Sequence, residues 1–176
     1  MKNQILSILI LALISTPLLA ESGDGFFSNA GLRIGVDTES SVNLSSYELY
    51  GTSESLWSWE LTENLNADLQ LETAIGVLTG EGETAAYVRF APVLEVSADD
   101  FPVSFILSSG PTLYSQATFD QYDLGGNIHF TSSIGLNWNT YENWTLGYRF
   151  QHTSNANLRD PNPGLEMHTL SLERSF

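Results

Sequence analysis

The sequence predicts an all-β protein: an eight-stranded antiparallel transmembrane β-barrel in meander order, preceded by a cleaved signal peptide. Three observations lead there. The first 20 residues read as a secretory leader, the remainder alternates with period two in eight segments bounded by turn residues, and the chain closes on an aromatic residue, Phe176. Strands of about 10 or more residues are long enough to cross a bilayer at a tilt.

The leader consists of Lys2, an apolar run from Ile5 to Ile14, and Pro17-Leu18-Leu19-Ala20 before Glu21. Its apolar run is short of the roughly 20 residues a spanning helix needs, so residues 1–20 are expected to be removed. Residues 21–176 then form a single barrel domain, of a size for one core. No later stretch is apolar enough for a spanning helix.

The first segment sets Leu32, Ile34 and Val36 against Arg33, Gly35 and Asp37. A second, from about Val42 to Leu61, carries Tyr47, Leu49, Trp57, Trp59 and Leu61 on one side, with a break expected near Thr52-Ser53. The third, Ala67 to Leu78, opposes Leu69, Leu71, Ile75 and Val77 to Asp68, Gln70, Glu72 and Gly76, and turns at Gly80-Glu81-Gly82. In the fourth, Thr84 to Val96, the residues Val88, Phe90, Leu94 and Val96 oppose Tyr87, Arg89, Ala91 and Glu95. The fifth runs from Val103 to Tyr114, with Phe105 and Leu107 on its apolar side. An acidic loop (Asp120, Asp123) and Gly125-Gly126 precede the sixth, where Ile128, Phe130, Ile134, Leu136 and Trp138 oppose His129, Thr131, Ser133 and Asn137. The last two, Trp144 to Asn155 and Leu165 to Phe176, form a hairpin.

The polar faces decide between architectures. Arg33, Arg89 and Arg149 share them with Asp68, Glu72 and Glu95. In a soluble sandwich or ligand-binding barrel, Leu69, Phe90, Phe105 and Trp138 would point inward and these charges would coat the surface. In a membrane barrel the sides are reversed, and interleaved arginines and acids stitch the lumen with ion pairs. Closure also satisfies every backbone group, as a membrane demands. The membrane barrel is therefore the expectation.

Composition excludes other classes. There is no cysteine, hence no disulfide framework. Without Lys2 the chain holds five arginines and no lysine against 21 acidic residues, a net charge of −16. That argues against nucleic acid or an anionic surface held by electrostatics alone. No cluster has metal-ligand spacing and no glycine loop suits a phosphate, so neither metal nor cofactor is expected.

With both chain ends in the periplasm, the last hairpin opens on the outer-surface side. Along its first strand Trp144, Leu146, Tyr148 and Phe150 form an apolar stripe, which His152 and Ser154 continue. A serine needs a base to take its proton, and the base works best when a third group holds its ring. Glu166, on the second strand, shares this outward parity. If the hairpin pairs Ser154 opposite Glu166, the carboxylate lies diagonal to His152, a separation of about 7 Å that side chains bridge. The three groups converge on the lipid-facing wall.

The stretch His152-Thr153-Ser154-Asn155-Ala156-Asn157-Leu158, followed by Pro161-Asn162-Pro163-Gly164 and Glu166, resembles the C-terminal signature of the lipid A 3-O-deacylase (PagL) family. A looser likeness extends to the Tyr47-Glu48-Leu49-Tyr50 segment and the eight-strand pattern. The resemblance implies an esterase of the bacterial outer membrane, acting on the acyl chain at the 3-position of lipid A in lipopolysaccharide. Ser154 would be the nucleophile, His152 the general base and then acid, and Glu166 the residue that orients the imidazole. Oxyanion donors would come from Asn155, Asn162 or the backbone amides of the Ala156-Asn157 turn. A homodimer is compatible with the sequence. His129 is expected in the lumen as a hydrogen-bonding group and His168 as an outward neighbour of the site. The competing reading is a non-enzymatic small barrel of the OmpA type, for which the His152, Ser154 and Glu166 coincidence is chance.

Overall fold

The computed structural model describes residues 26–38 and 42–176; the expected signal peptide, residues 1–20, lies outside the described residues. Strand β1 (Phe27–Asp37) leads to β2 (Ser45–Ser53), β3 (Trp57–Thr62), β4 (Leu65–Gly80), β5 (Glu83–Ala98) and β6 (Val103–Tyr114). A short pair, β7 (Thr118–Phe119) and β8 (Tyr122–Asp123), interrupts the next connection. The chain finishes with β9 (Ile128–Asn139), β10 (Trp144–Ser154) and β11 (Leu165–Ser175). The expected second segment is two strands: β2 and β3 both pair with β4 and occupy one position in the wall, so the barrel is eight-stranded. The break falls at residues 54–56, just beyond the expected Thr52-Ser53.

Every neighbouring pair in the wall is antiparallel, and β1 closes the sheet between β2 and β11. The register fixes the stagger. Successive Cα partners run from Leu69 to Leu94, Leu107, Ile134, Phe150, His168, Val36 and Ser45, and return to β4 at Thr79, ten residues beyond the start. Such a shear tilts the strands and narrows the barrel to an interior that side chains fill.

The faces divide as a membrane requires. Ile34, Phe90, Phe105, Leu107, Ile134, Leu136, Trp138 and Leu170 are exposed on the outer wall. Phe90, Phe105 and Trp138 thus point outward, which excludes the soluble alternative. Arg33, Glu48, Glu72, Arg89 and Arg149 are buried within. Glu72 is the hub of this cluster: Arg33 meets its Oε2 at 2.9 Å, Arg89 its Oε1 at 3.0 Å and Arg149 its Oε2 at 3.0 Å. Glu48 joins Arg33 at 3.0 Å and Arg89 at 2.8 Å. The ion-paired lumen expected from the arginine parity is therefore present at Glu72, with Glu48 as a further member; of the other two acids expected there, Asp68 accepts from the Ser58 hydroxyl and Glu95 from Gln70 and Ser104.

The interior is not polar throughout. At the end of the barrel that carries the β10–β11 loop, Leu44, Leu78, Ala85, Tyr87, Tyr114, Leu165 and Met167 form an apolar cluster, into which Phe119 and Leu124 descend from the β6–β9 connection. The β7–β8 pair, unforeseen because two residues per strand leave no periodicity, positions those plugs. His129 lies beneath this connection, wholly buried, with its Nε2 3.0 Å from the Leu124 carbonyl.

Candidate active site

Parity carries through to the end of β10. Thr153 and Asn155 are buried inside, whereas His152 and Ser154 lie on the outer wall, as does Glu166 on β11. The structure corrects the expected register by two residues: the direct Cα partner of His152 is Glu166, not a diagonal neighbour. A two-residue slip preserves the facing of every side chain, which is why the faces were right while the pairing was not. Ser154 stands opposite Phe130 on the neighbouring strand β9.

The His152 Nδ1 atom lies 3.4 Å from Glu166 Oε1, with the two side chains 47% and 31% exposed. This is longer than a tight hydrogen bond; such contacts commonly tighten when substrate displaces solvent. With Nδ1 turned to the carboxylate, Nε2 is the ring nitrogen left for a nucleophile or leaving group. Space for the ring depends on Gly164, whose φ is +76° and where a Cβ would come within 3.1 Å of His152 Cε1. A side chain there would be strained in backbone and would press on the imidazole.

The loop between β10 and β11 is anchored from inside the barrel by Asn155. Its Nδ2 donates to the carbonyls of Arg159 at 2.8 Å, Gly125 at 2.9 Å and Pro161 at 3.1 Å. Its main-chain N–H donates to Asn162 Oδ1 at 3.0 Å, and Asn162 Nδ2 donates to Asn157 Oδ1 at 3.0 Å. Both asparagines therefore hold the loop together. Between them Ala156 and Asn157 adopt φ of +53° and +59°, a tight left-handed turn that begins two residues after Ser154. Tyr122 ties the β7–β8 pair to this loop through a hydrogen bond from its hydroxyl to the Gly164 carbonyl. Partial burial and the nearby Asp37 raise the Tyr122 pKa, which keeps the phenol a donor.

His168 is turned away from the site. Its ring stacks on Tyr148 with centroids 5.9 Å apart, and its Nδ1 is 2.6 Å from the Tyr148 hydroxyl. It is a neighbour, as its position suggested.

Two outward residues were missed in the sequence. Ser132 is the Cα partner of His152 on β9, and Ser109 is the partner of Ser132 on β6. The available signal was a polar residue at an apolar-parity position, Ser132 between Phe130 and Ile134, and Ser109 after Phe105 and Leu107. Beside them an open groove of about 600 Å³ starts at His152 and runs along Phe150, Ile134, Leu107, Leu94 and Leu69.

The family described as lipid A 3-O-deacylase (PagL) matches this chain over residues 45–175. A lipid A deacylase PagL of Bordetella bronchiseptica is 33% identical over 67 residues, 38% of this chain and 38% of that protein's length. The lipid A deacylase PagL of Pseudomonas aeruginosa is 26% identical over 129 residues, 65% of this chain and 70% of that protein. In fold, the chain is similar to the crystal structure of the outer membrane enzyme PagL, with a TM-score of 0.73 at 21% identity over 84% of this chain and 99% of that one. The N-terminal β-barrel domain of Pseudomonas aeruginosa OprF is more distant, at a TM-score of 0.50 and 12% identity over 85% and 98% of the two chains. A family match that extends from β2 to the end of β11 and includes the whole His152–Glu166 hairpin leaves one assignment: the chain belongs to the lipid A 3-O-deacylase (PagL) family.

Proposed function

We propose that this protein is an outer-membrane serine esterase that removes the ester-linked acyl chain at the 3-position of lipid A, after its signal peptide, residues 1–20, is cleaved. The observation that carries this reading is the contact of His152 Nδ1 with Glu166 on the outer wall, with Ser154 on the same face. The substrate is a membrane lipid, so a hydrolytic site belongs on the lipid side of the barrel and near its outer-surface end.

Ser154 Oγ attacks the acyl carbonyl while His152 Nε2 takes its proton. Glu166 holds the ring through Nδ1–H and offsets the imidazolium charge. The tetrahedral oxyanion is met by the backbone amides of the Ala156-Asn157 turn, and Asn155 and Asn162 act by fixing that turn; donors of this kind contribute several kcal/mol. As the intermediate collapses, the ester C–O bond breaks and the sugar oxygen leaves with the proton from His152. Water, deprotonated by the same ring, then releases the fatty acid from Ser154.

A chain of net charge −15 is an awkward host for a phosphorylated lipid. Arg159, exposed on the β10–β11 loop, offers one cation to the headgroup, and divalent ions that bridge lipid phosphates supply others. The decisive experiment is mass spectrometry of lipid A from cells with and without this protein. Loss of one ester-linked acyl chain from the 3-position is expected with the wild-type protein and not with Ser154→Ala. An unchanged lipid A in cells that hold the folded wild-type barrel would overturn the reading.

A further inference from the structure

We propose that Tyr122 is a positioning residue for His152: its hydroxyl fixes the Gly164 carbonyl, Gly164 backs the imidazole, and the β7–β8 pair holds the phenol in place. This rests on the esterase reading above and adds the element that keeps the base aligned.

The first argument is the freedom of the ring. The χ2 torsion of a histidine has broad minima, so its rotamer alone does not fix where Nε2 points. One neighbour that restrains it is Glu166, whose Oε1 lies 3.4 Å from Nδ1. The other is the backbone of Gly164. A Cβ there would lie 3.1 Å from Cε1, 3.9 Å from Nδ1 and 4.0 Å from Nε2, so Gly164 covers the ring edge between the two nitrogens. A Gly164 that drifted outward would give the half-exposed ring room to turn.

The second argument is what holds Gly164. The β10–β11 register ends at Thr153↔Leu165, and Gly164, with φ of +76°, lies beyond it as the last residue of the loop. The Asn155 side chain fastens the earlier part of that loop, at the Arg159 and Pro161 carbonyls. The end beside His152 is fastened by the Tyr122 hydroxyl, which donates to the Gly164 carbonyl.

The third argument is the mount of Tyr122 itself. Two strands of two residues have too few ladder bonds to be stiff alone. Here Phe119, the Cα partner of Tyr122, and Leu124 are buried in the apolar cluster of the lumen, and the Tyr122 ring packs against the same cluster. The Leu124 N–H donates to the Ala117 carbonyl at 2.8 Å, and the Leu124 carbonyl accepts from His129 Nε2 at 3.0 Å. The Gly125 N–H donates to Asp123 Oδ1 at 2.8 Å, and Gly125 sits so close to the Pro161 carbonyl that a Cβ would not fit. One connection, anchored inside the barrel, thus grips the β10–β11 loop at Pro161 through Gly125 and at Gly164 through Tyr122. The groove that starts at His152 is lined from the strands β4, β5, β6, β9 and β10. Loss of the Tyr122 bond should therefore act on turnover rather than on substrate binding.

Tyr122→Phe keeps the ring against the cluster and removes the one bond. The test uses the full-length barrel folded in detergent, with lipid A in mixed micelles as the probe, on protein that keeps its heat-resistant folded band. The kcat should fall about 5-fold, the worth of one ordinary hydrogen bond, with KM unchanged. A double-mutant cycle with Glu166→Gln then reads the route of the effect. If Tyr122 holds the ring against Glu166, Tyr122→Phe should cost less than about 2-fold once that carboxylate is gone, because coupled residues do not act independently. A merely structural tyrosine would lower the rate by the same factor in both backgrounds, which would overturn the proposal. So would an unchanged kcat, or a raised KM at constant kcat, which would make Tyr122 a substrate contact. Ser154→Ala separates the two layers. If it is inactive while Tyr122→Phe is fully active, the positioning role fails and the esterase reading survives; if Ser154→Ala still cuts, both fall.

Discussion

Glu166 reaches His152 straight across the hairpin, so its carboxylate needs only one rotamer to meet Nδ1, and the pair is exposed enough for solvent to weaken it until a lipid covers the site. That makes its contribution conditional on substrate. A poorly screened imidazolium is expensive to form in low dielectric, so the carboxylate matters most when the groove is filled. Glu166→Gln keeps size and removes charge. On the proposed triad it should lower kcat substantially, yet less than Ser154→Ala or His152→Ala, which should be equally damaging if the three groups act as a unit. Glu166→Asp should retain part of the activity. Rates of 3-position deacylation, measured on protein that keeps its heat-resistant folded band, decide this; unchanged rates in both Glu166 variants would reduce the site to a Ser-His dyad.

At the scale of elements, period-two alternation carries nearly everything legible in the sequence. It located β5, β6, β9, β10 and β11 to within one or two residues and assigned His152, Ser154 and Glu166 to one face. What it could not deliver is register, because the β10–β11 loop is ten residues long and bent by the left-handed Ala156 and Asn157; only short turns dictate pairing from sequence. The Arg33–Glu48–Glu72 contacts were out of reach for the same reason, since they depend on the stagger of the whole barrel. Ser109 and Ser132 escaped because an apolar stripe is read by its majority. The facing assignment itself has a direct check. Cysteine at Leu107 or Leu136 should react with a lipid-soluble label, whereas cysteine at Arg89 or Arg149 should not. Labelling of the arginine positions from the membrane would invert the architecture. Leu107→Arg, on the lipid face, should cost about 2–4 kcal/mol near the bilayer midplane.

For the whole molecule, the wall and the lumen answer to different forces. Backbone ladder bonds have no substitute in hydrocarbon, so the membrane itself demands the closed sheet. Inside, three arginines share two glutamates, and Glu72 touches all three cations. Glu72→Gln would leave Arg33, Arg89 and Arg149 facing one another with Glu48 as their remaining partner in the cluster. Removing one member of a buried ion pair costs about 3–5 kcal/mol, because the abandoned charges stay desolvated. The unfolding temperature, followed by loss of the compact band on unboiled gels, should therefore drop clearly. Deacylation at 25 °C should persist, since the His152 row lies on the outer wall and its strands remain paired. Adding Arg149→Met removes one surplus cation and should recover much of the lost stability, a result that a purely steric role for Glu72 would not produce. An unshifted unfolding temperature in Glu72→Gln would mean that water or local rearrangement neutralises the lumen, and the ion-pair cluster would then not be what holds the barrel rigid beneath its site.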